Sequence, residues 1–374
     1  MPSSRHSDRV DLVLVGGGLV GACLAEELAH GGARVVVLDA GDRPGHATGR
    51  AAGVAVPSLR YATDETFHPW LTLARSALVD DIARLEPIHG RFSLAQPVLR
   101  LLLPQDVEAL PEGPARQAAG VPASDAELAQ LAPGLQVRGD EQPYLLPDGL
   151  SVNGPAYLQA AQAAALRAGV TWSQGRQVVS LDETADGVVV HCADGTAVSA
   201  DRVVVTAGAW TGTLTGLPIR PQRGQLVLLE APEVTLGCIV SGRLYVAPLP
   251  NGGLLVGATE EEAGFDERCT AGSVAGVLAY ALRRFPGLAS ATVVEPRAGL
   301  RPVSDTGRPI VGRVPGRQRV YLAAGHAGHG LISARATARG AVAGLLHGDW
   351  DQVPDDFCPR AAAPVTAAAA GRAS

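Results

Sequence analysis

Residues 10–21 read VDLVLVGGGLVG, an apolar run that ends in three consecutive glycines and a fourth three residues later. The short run of branched residues predicts a central strand of a parallel sheet, and the residues up to His30 predict a helix. Gly31 and Gly32 end that helix, and RVVVLD at 34–39 predicts a second buried strand. The stretch therefore predicts a β-α-β unit whose first turn consists of glycines.

The glycines of this turn have the spacing of a dinucleotide-binding loop. Gly16, Gly18 and Gly21 permit a tight turn, close approach of the backbone to a pyrophosphate, and close packing of helix on strand. The N-terminus of the helix also offers free N–H groups to phosphates. Asp39 ends the second strand, where a carboxylate accepts hydrogen bonds from ribose hydroxyls. A glycine turn with a purely structural role is the alternative, but the full order of elements favours a nucleotide site.

The motif alone does not separate NAD from FAD. Strands that end in glycine turns return late in the chain, at 202–210 and 320–325, and a last helix is predicted at 329–348. An enzyme that binds only NAD normally completes its nucleotide fold in one continuous block, whereas these returns suit a long cofactor held at several points. We therefore predict FAD as the cofactor and two domains that are interleaved along the chain.

Apolar periodicity predicts further elements between these segments. Ser124 and Glu127 have the spacing of a helix capping box. In the helix at 66–86, four residues are predicted to share one side: Trp70, Leu73, Ala77 and Leu78. The other predicted helices are at 154–168 and 270–284, and the predicted strands are at 178–181, 188–192, 196–200 and 202–210, with several more within 222–258.

Composition excludes several classes of function. The 374-residue chain is 47% hydrophobic and has a net charge of −6, so it provides no basic face for nucleic acid. Its five cysteines are scattered without a Cys-x-x-Cys pair, which predicts neither disulfides nor a metal site and favours a cytoplasmic setting. Arg5 and Arg9 precede the first apolar run as in a secretion signal, but the glycines interrupt that run. No segment is predicted to span a membrane.

A set of stretches in fixed order resembles the D-amino-acid oxidase family of FAD-dependent oxidoreductases, and its glycine-oxidase-like branch in particular. The stretches are VGGGLVG (15–21) with Asp39, PGHATGRAAG (44–53), VVVTAGAW (203–210), PQRGQ (221–225), YVAPLPNGGLLVGAT (245–259), AGLRPVSDTGRPIVG (298–312), GHAGHGLISA (325–334) and PDDFCPR (354–360). The resemblance extends from about residue 10 to residue 360.

The resemblance implies an α/β fold in which a Rossmann-like FAD-binding domain is interleaved with an α+β substrate domain that carries a large mixed sheet. The FAD-binding domain is predicted at 9–85, 151–215 and 299–350, and the substrate domain at 86–150 and 216–298. Residues 361–374 are low in complexity and predicted to form a disordered tail.

The resemblance also implies which residues hold FAD. Leu19, Val20, Asp39 and Ala40 are expected along the ADP half, and Val178 beside the adenine. The remaining expected cofactor residues are Gly16, Gly18, Gly21, Thr48, Arg50, Ala52, Gly53, Val54, Gly208, Trp210, Gly325, His326, Gly328, His329, Gly330, Leu331 and Ile332. Val303 and Ser304 follow the Arg-Pro step where sarcosine-oxidase relatives carry a flavin-linking cysteine, so the FAD is expected to be non-covalent.

The glycine-rich segment GHAGHG at 325–330 has its own physical interpretation. A helix that begins near Gly330 directs its positive end toward whatever precedes it, and beside a flavin that end favours the anionic reduced form. The alternative is a plain glycine turn with a histidine that is hydrogen-bonded within the protein.

Arg301 and Tyr245 are the predicted catalytic and substrate-binding residues. The resemblance implies that the Arg301 guanidinium pairs with the substrate carboxylate, for which its planar, bidentate geometry is suited. Without the resemblance, an ion pair with Asp305 or Glu295 is the more common arrangement. Tyr245 is expected to bind the same carboxylate, and its alternative is a core aromatic residue on a strand.

Two positions depart from the glycine-oxidase pattern. Gly328 stands where relatives carry a second arginine, and Arg243 stands where a histidine is expected. These departures put glycine in doubt as the preferred substrate, and Arg243 and His329 are predicted to bind a larger or acidic amine.

The implied activity is oxidation of the C–N bond of an amino acid or N-substituted amino acid. Hydride passes to flavin N5, the imine hydrolyses to an oxo acid, and O2 reoxidises the flavin to give H2O2. Orientation of a neutral amine needs no strong base, so no acid–base residue is assigned. A dehydrogenase that passes electrons to a quinone or partner protein is one alternative, and a non-catalytic flavin-binding subunit of a hetero-oligomer is another.

Overall fold

The computed structural model describes residues 10–41 and 46–360. The strands are β1 (Val10–Val15), β2 (Val35–Asp39), β3 (Ser93–Leu102), β4 (Val121–Pro122), β5 (Gln142–Val152), β6 (Thr171–Gln174), β7 (Val178–Glu183), β8 (Val188–Cys192), β9 (Ala197–Val205), β10 (Ile219–Glu230), β11 (Ile239–Ser241), β12 (Tyr245–Pro248), β13 (Leu254–Gly257), β14 (Thr292–Ser304), β15 (Ile310–Arg313) and β16 (Val320–Ala324). The helices are α1 (Leu19–His30), α2 (Phe67–His89), α3 (Pro104–Glu108), α4 (Pro114–Gln117), α5 (Asp125–Leu131), α6 (Gly154–Arg167), α7 (Thr211–Thr215), α8 (Ala271–Arg284) and α9 (Gly330–His347). The predicted tail at 361–374 lies outside the described residues.

The first sheet has strand order β15-β16-β9-β1-β2-β6, and β8 and β7 continue from β9. Its centre is parallel, and Leu14 of β1 lies between Val37 of β2 and Val204 of β9. The central strands β1, β2 and β16 are largely buried because helices cover one face and the β7–β8 hairpin packs near the other. The β-α-β unit predicted at 10–39 is confirmed, and with it the predicted α/β class.

The second sheet has strand order β14-β10-β13-β12-β11-β3-β5-β4 and mixes parallel and antiparallel pairs. One face packs on α8, where Tyr280 donates a hydrogen bond to the Leu244 carbonyl at 3.1 Å. Arg100, Ser241 and Tyr245 are directly paired across β3, β11 and β12. Paired residues of neighbouring strands share a face, so these three side chains lie on the same side of the sheet.

A buried ionic network joins α1, α2 and α9. Arg335 is 2% exposed, and its guanidinium lies 2.6 Å from Glu26, 2.9 Å from Glu27 and 3.1 Å from Asp81. Tyr157 of α6 donates a hydrogen bond to Asp81 at 2.6 Å. The network surrounds the buried Arg335 guanidinium with acids from distant parts of the chain. A buried cation is tolerated only when such acids neutralise it.

Two local expectations are wrong, and two long strands were not predicted. Leu73 is 69% exposed, because the buried stripe of α2 is set by Phe67, Leu71 and Ala74, and a residue two positions after Leu71 points to the opposite side. The two strands predicted at 196–200 and 202–210 are one continuous strand, β9. The long strands β3 and β5 were not predicted, because each contains proline and polar residues that hide its alternation.

The first sheet takes its strands from three separate stretches of the chain, and the second sheet takes its strands from the two stretches between them. The predicted domain boundaries at 150/151 and 298/299 fall inside β5 and β14. The exact domain limits therefore stay a prediction.

Candidate active site

Both sheets line one cavity of about 1200 Å³. This volume exceeds the roughly 300–1,000 Å³ of a typical small-molecule pocket, so there is room for a long cofactor together with a substrate. Gly16 and Asp39 belong to its wall on the side of the first sheet. Tyr245 and Arg301 belong to its wall on the side of the second sheet.

The structure brings nearly all of the predicted site residues to this cavity. Those that line it are Gly16, Gly18, Leu19, Val20, Asp39, Ala40, Thr48, Arg50, Ala52, Gly53, Val54, Val178, Gly208, Trp210, Arg243, Tyr245, Arg301, His326, Gly328, His329, Gly330, Leu331 and Ile332. Gly21 and Gly325 do not line it. A Cβ on Gly21 would lie 2.2 Å from the Gly16 carbonyl oxygen, so this glycine serves helix–strand packing. Gly325 has a φ of +78°, which favours glycine at the turn after β16.

The first glycine loop presents unsatisfied backbone donors to the cavity. α1 begins after Gly18, and no side chain caps its first turn. A Cβ on Gly18 would meet no atom within 4 Å, so the loop is open on that side. Asp39 accepts hydrogen bonds from the backbone N–H groups of Gly17 and Gly41, which fixes its carboxylate at the end of β2.

The N-terminus of α9 is a second such site. The helix begins at Gly330, as predicted, and no side chain caps it. His326 is 2% exposed, and its Nε2 atom lies 3.0 Å from Thr337 Oγ1. Burial lowers the pKa of His326 to about 3. The imidazole of His326 is therefore hydrogen-bonded within the protein, as in the alternative given above for the segment at 325–330. Only the backbone of His326 is left to contact a ligand.

His329 is the partly buried histidine of this segment. Its ring packs edge-on against Tyr61 and Phe67, with centroid distances of 5.3 and 5.5 Å. Its Nδ1 atom is buried without a hydrogen-bond partner among the described residues. Burial, reinforced by the charges of Arg60 and Arg301, lowers the pKa of His329 to about 4. The imidazole is therefore neutral near pH 7 and offers a hydrogen bond rather than a charge.

Arg301 is the central cation of the site. Its Nη1 donates to the Thr259 carbonyl at 2.9 Å, and no carboxylate of the described residues lies within ion-pair distance of it. Burial lowers its pKa, although the more distant Glu260 opposes this effect. A Cβ on Gly224 would lie 2.6 Å from both terminal nitrogens, so the guanidinium lies directly against that glycine.

The internal acids proposed as alternatives for Arg301 are placed elsewhere. Glu295 pairs with Arg50 at 3.0 Å and with Arg297 at 2.8 Å. Asp305 is exposed, and it makes no ion pair with Arg301. The Arg301 guanidinium therefore lines the cavity without a carboxylate partner among the described residues.

Tyr245 and Arg243 stand at the turn between β11 and β12. Tyr245 is half-buried at the start of β12, while Arg243 is exposed and makes no ion pair among the described residues. Gly242 fixes the turn from behind, since a Cβ there would lie 2.6 Å from the Tyr280 hydroxyl.

Sequence reasoning missed several residues of this cavity. Arg60 and Glu260 both line it and form a loose ion pair at 3.4 Å. Gly224 has no predicted role in the PQRGQ stretch. The feature that could have revealed its role is a glycine inside a long buried strand, which indicates that another group approaches the backbone closely.

A family model for DAO, described as FAD-dependent oxidoreductase, matches residues 11–344. The chain belongs to this family. Glycine oxidase of Pseudomonas putida is 32% identical over 349 residues, which cover 88% of this chain and 92% of the relative. The uncharacterized oxidoreductase YurR of Bacillus subtilis is 31% identical over 344 residues, with 85% and 90% of the two chains covered.

Solved structures of DAO-type enzymes share the fold. Glycine oxidase of Geobacillus kaustophilus superposes with a TM-score of 0.82 and 25% identity, covering 91% of this chain and 95% of that one. Iminodiacetate oxidase (IdaA) of Chelativorans sp. BNC1 superposes with a TM-score of 0.81 and 29% identity, covering 93% and 98%. These comparisons confirm the predicted fold class, family and cofactor.

The residues of this DAO-family chain fit FAD. Gly18 and the uncapped first turn of α1 leave open N–H donors of the kind that bind phosphates, and Asp39 ends β2 next to them. Gly328 and the uncapped start of α9 provide a second set of donors. Within the described ranges, no helix is long and apolar enough to cross a bilayer, and no cluster of side chains could hold a metal ion.

Proposed function

We propose that this enzyme oxidises the carbon–nitrogen bond of an amino acid or N-substituted amino acid. The observation that carries the proposal is the Arg301 guanidinium, which faces the FAD cavity with a backbone carbonyl as its hydrogen-bonding partner and without an acid. A desolvated cation without an acid is costly unless a ligand supplies the counter-charge. A substrate carboxylate is the anion that a planar guanidinium binds best.

Arg301 and Tyr245 would hold that carboxylate from the second sheet. Gly224 lets the guanidinium lie flat, and the Thr259 carbonyl fixes one of its nitrogens, so that the remaining donors keep one direction. Tyr245 lines the same wall and can donate its hydroxyl hydrogen to the same carboxylate. Fixing the carboxylate orients the Cα–H bond, and orientation of this kind accounts for several orders of magnitude in rate.

The neutral histidine at the start of α9 would contact the substrate amine. His329 Nδ1 is buried and unpartnered, and its low pKa keeps the imidazole uncharged at neutral pH. A neutral ring does not repel a protonated amine and can accept a hydrogen bond from it. We assign His329 no proton transfer. Its predicted contribution to an acidic substrate is limited to hydrogen bonding.

When bound, FAD supplies a two-electron acceptor for the hydride of the substrate Cα–H. The substrate loses that hydride and a proton and becomes an imine, which water hydrolyses to an oxo acid and an amine or ammonia. O2 is the proposed final acceptor and is reduced to H2O2. The absence of cysteine among the described residues that line the cavity supports non-covalent FAD. A cytoplasmic location belongs to the same proposal, supported by five unpaired thiols.

The proposal is tested with the purified flavoprotein under nitrogen. Glycine, N-methylglycine, proline and the two enantiomers of alanine are added separately, and bleaching of the flavin absorbance is followed. Bleaching by at least one of them, and not by the matching amines without a carboxylate, is expected. Bleaching by the simple amines with equal rates would contradict the role of Arg301. Air is then admitted, and peroxide release distinguishes an oxidase from a dehydrogenase.

A further inference from the structure

Arginines of the cavity wall differ in whether an acid neutralises them. Among the described residues, six arginines line the cavity. Four have acid partners: Arg50 with Glu295, Arg60 with Glu260, Arg176 with Asp194, and Arg220 with Glu262. The remaining two, Arg301 and Arg243, make no ion pair with any described residue.

The acids on the wall do not offset this excess. Asp39, Glu260 and Asp305 line the cavity. Asp39 is engaged by backbone N–H groups at the nucleotide loop, and Glu260 already faces Arg60. Asp305 is exposed and makes no ion pair with either arginine, so a single substrate carboxylate on Arg301 leaves Arg243 without an acid partner among the described residues.

Arg243 and Arg301 are neighbours of the same residue, Thr259. The Thr259 carbonyl accepts the hydrogen bond from Arg301 at 2.9 Å. Thr259 and Arg243 both line a smaller groove of about 280 Å³, and Arg243 also lines the main cavity. Arg243 thus lines both the main cavity and the groove, and Thr259, whose carbonyl holds Arg301, lines the same groove.

The groove itself does not supply an anion to Arg243. Glu261 is part of its wall, but the Glu261 carboxylate is occupied by Arg223 at 2.7 Å and by Thr259 at 2.6 Å. Ser273 donates a further hydrogen bond to it at 2.9 Å. An acid that is held in this way is not available as the partner of Arg243.

A buried cation adds positive potential beside Tyr245. Arg100 is 6% exposed, donates to the Pro57 carbonyl at 3.2 Å and makes no ion pair among the described residues. Its Nε atom has no hydrogen-bond partner within the described ranges. Arg100 lies in the same cross-strand row as Ser241 and Tyr245, on the sheet face that carries Tyr245. A charge in such a weakly solvated position acts over a longer range than an exposed one.

From these observations we infer that the substrate carries a second anionic group, which Arg243 binds. The substrate class is an amino acid whose side chain or N-substituent ends in a carboxylate. This inference rests on the proposed function, since Arg301 must hold the first carboxylate. Arg243 is then a residue that determines specificity: it contacts the distant end of the substrate and does not touch the reacting carbon.

The test compares two substrates that differ in charge and hardly in shape. N-(2-carboxyethyl)glycine ends in a carboxylate, and N-(2-carbamoylethyl)glycine ends in the corresponding amide. We expect kcat/KM for flavin reduction to be at least about tenfold higher for the carboxylate than for the amide, because a hydrogen bond to a charged group contributes that much. In the Arg243→Gln variant this ratio is expected to fall to about one.

Arg220→Gln is the matched control, because Arg220 lines the same cavity but pairs with Glu262 at 3.6 Å. This variant removes the same formal charge and is expected to keep the ratio of the unaltered enzyme. A ratio near one in the unaltered enzyme, or an unchanged ratio in Arg243→Gln, would overturn the second-anion subsite. Flavin reduction by neither compound, and by no simpler amino acid, would instead refute the proposed function.

Binding gives a readout that is independent of turnover. Glutarate and its monoamide are not oxidised by this chemistry, and their Kd values can be measured by calorimetry on the FAD-loaded enzyme. Tighter binding of glutarate, by about tenfold, is expected and should disappear in Arg243→Gln. Equal binding of the two compounds by the unaltered enzyme would argue against a second anion subsite.

Discussion

The Arg301→Ala variant tests whether Arg301 binds a ligand or stabilises the fold. The variant loses one hydrogen bond, from Nη1 to the Thr259 carbonyl, which contributes about 1 kcal/mol to stability. It also removes a desolvated cation that no acid of the described residues neutralises, and this removal favours the folded state. The two effects oppose each other, so the free energy of unfolding is expected to change by less than about 1 kcal/mol.

The same substitution should have a large effect on catalysis. A charged, bidentate contact with a carboxylate contributes about 2–4 kcal/mol, which corresponds to a loss of roughly 30- to 1,000-fold in kcat/KM. Stopped-flow measurement of flavin reduction under nitrogen gives this value directly. An amine without a carboxylate should show no such loss, because it never makes the contact.

Arg335→Ala is the control with the opposite pattern. Arg335 is 2% exposed, and it is surrounded by Glu26, Glu27 and Asp81. Its removal takes the central cation away from the three acids, so that Glu26 and Asp81 keep Arg84 as their cation, and is expected to cost about 3–5 kcal/mol in urea unfolding. If Arg301→Ala destabilised the protein as much as Arg335→Ala while retaining full kcat/KM, Arg301 would be a structural residue and the proposed substrate contact would be wrong.

Four further predictions follow from single positions. Gly224→Ala places a Cβ 2.6 Å from the terminal nitrogens of Arg301, so kcat/KM should fall about tenfold with unchanged FAD content, and a full kcat/KM would contradict this. Gly18→Val directs a side chain into the open nucleotide cradle, so FAD should be lost on gel filtration; full flavin absorbance after the column would be the contrary result. Tyr245→Phe should lower kcat/KM about tenfold for carboxylate substrates alone, and an equal loss for simple amines would exclude a carboxylate contact. The pKa of His326 is about 3 in the folded state, below its ordinary 6.5, so the unfolded state binds more protons as pH falls below 6.5. The free energy of unfolding therefore decreases by about 1.4 kcal/mol per pH unit. His326→Gln should reduce this slope in urea unfolding, and an unchanged slope would show that His326 is not its source.

Local patterns were sufficient to predict the parts of the fold that have strong local causes. The run at 10–39 was predicted correctly because its glycines, branched residues and helix stop coincide in one short segment. The capping box at Ser124 was predicted for the same reason, and both of its hydrogen bonds are present. β3 and β5 were missed because proline and polar residues hide their alternation and because their pairing is long-range, with Arg100 opposite Tyr144 across 44 positions of the chain.

The site was predictable in its residue types but not in its charge balance. The sequence motifs named Arg301 and Tyr245, but which acid pairs with which arginine depends on tertiary contacts. Glu295 was a reasonable partner for Arg301 in sequence, yet it lies beside Arg50 from a loop about 245 positions away. The role of Gly224 likewise became visible only when the guanidinium was found lying against it.

The order in which strands enter the first sheet restricts how the protein can be made. β1 pairs with β9, and β9 pairs with β16. Arg335 of α9 neutralises acids on α1 and α2. A nascent chain that has reached residue 300 therefore still lacks Arg335, the central cation of the acid cluster, and the edge of β9 that pairs with β16 is still open. The nucleotide-binding half cannot be released as a fragment by a single cut, and its folding on the ribosome must wait for the last tenth of the described chain.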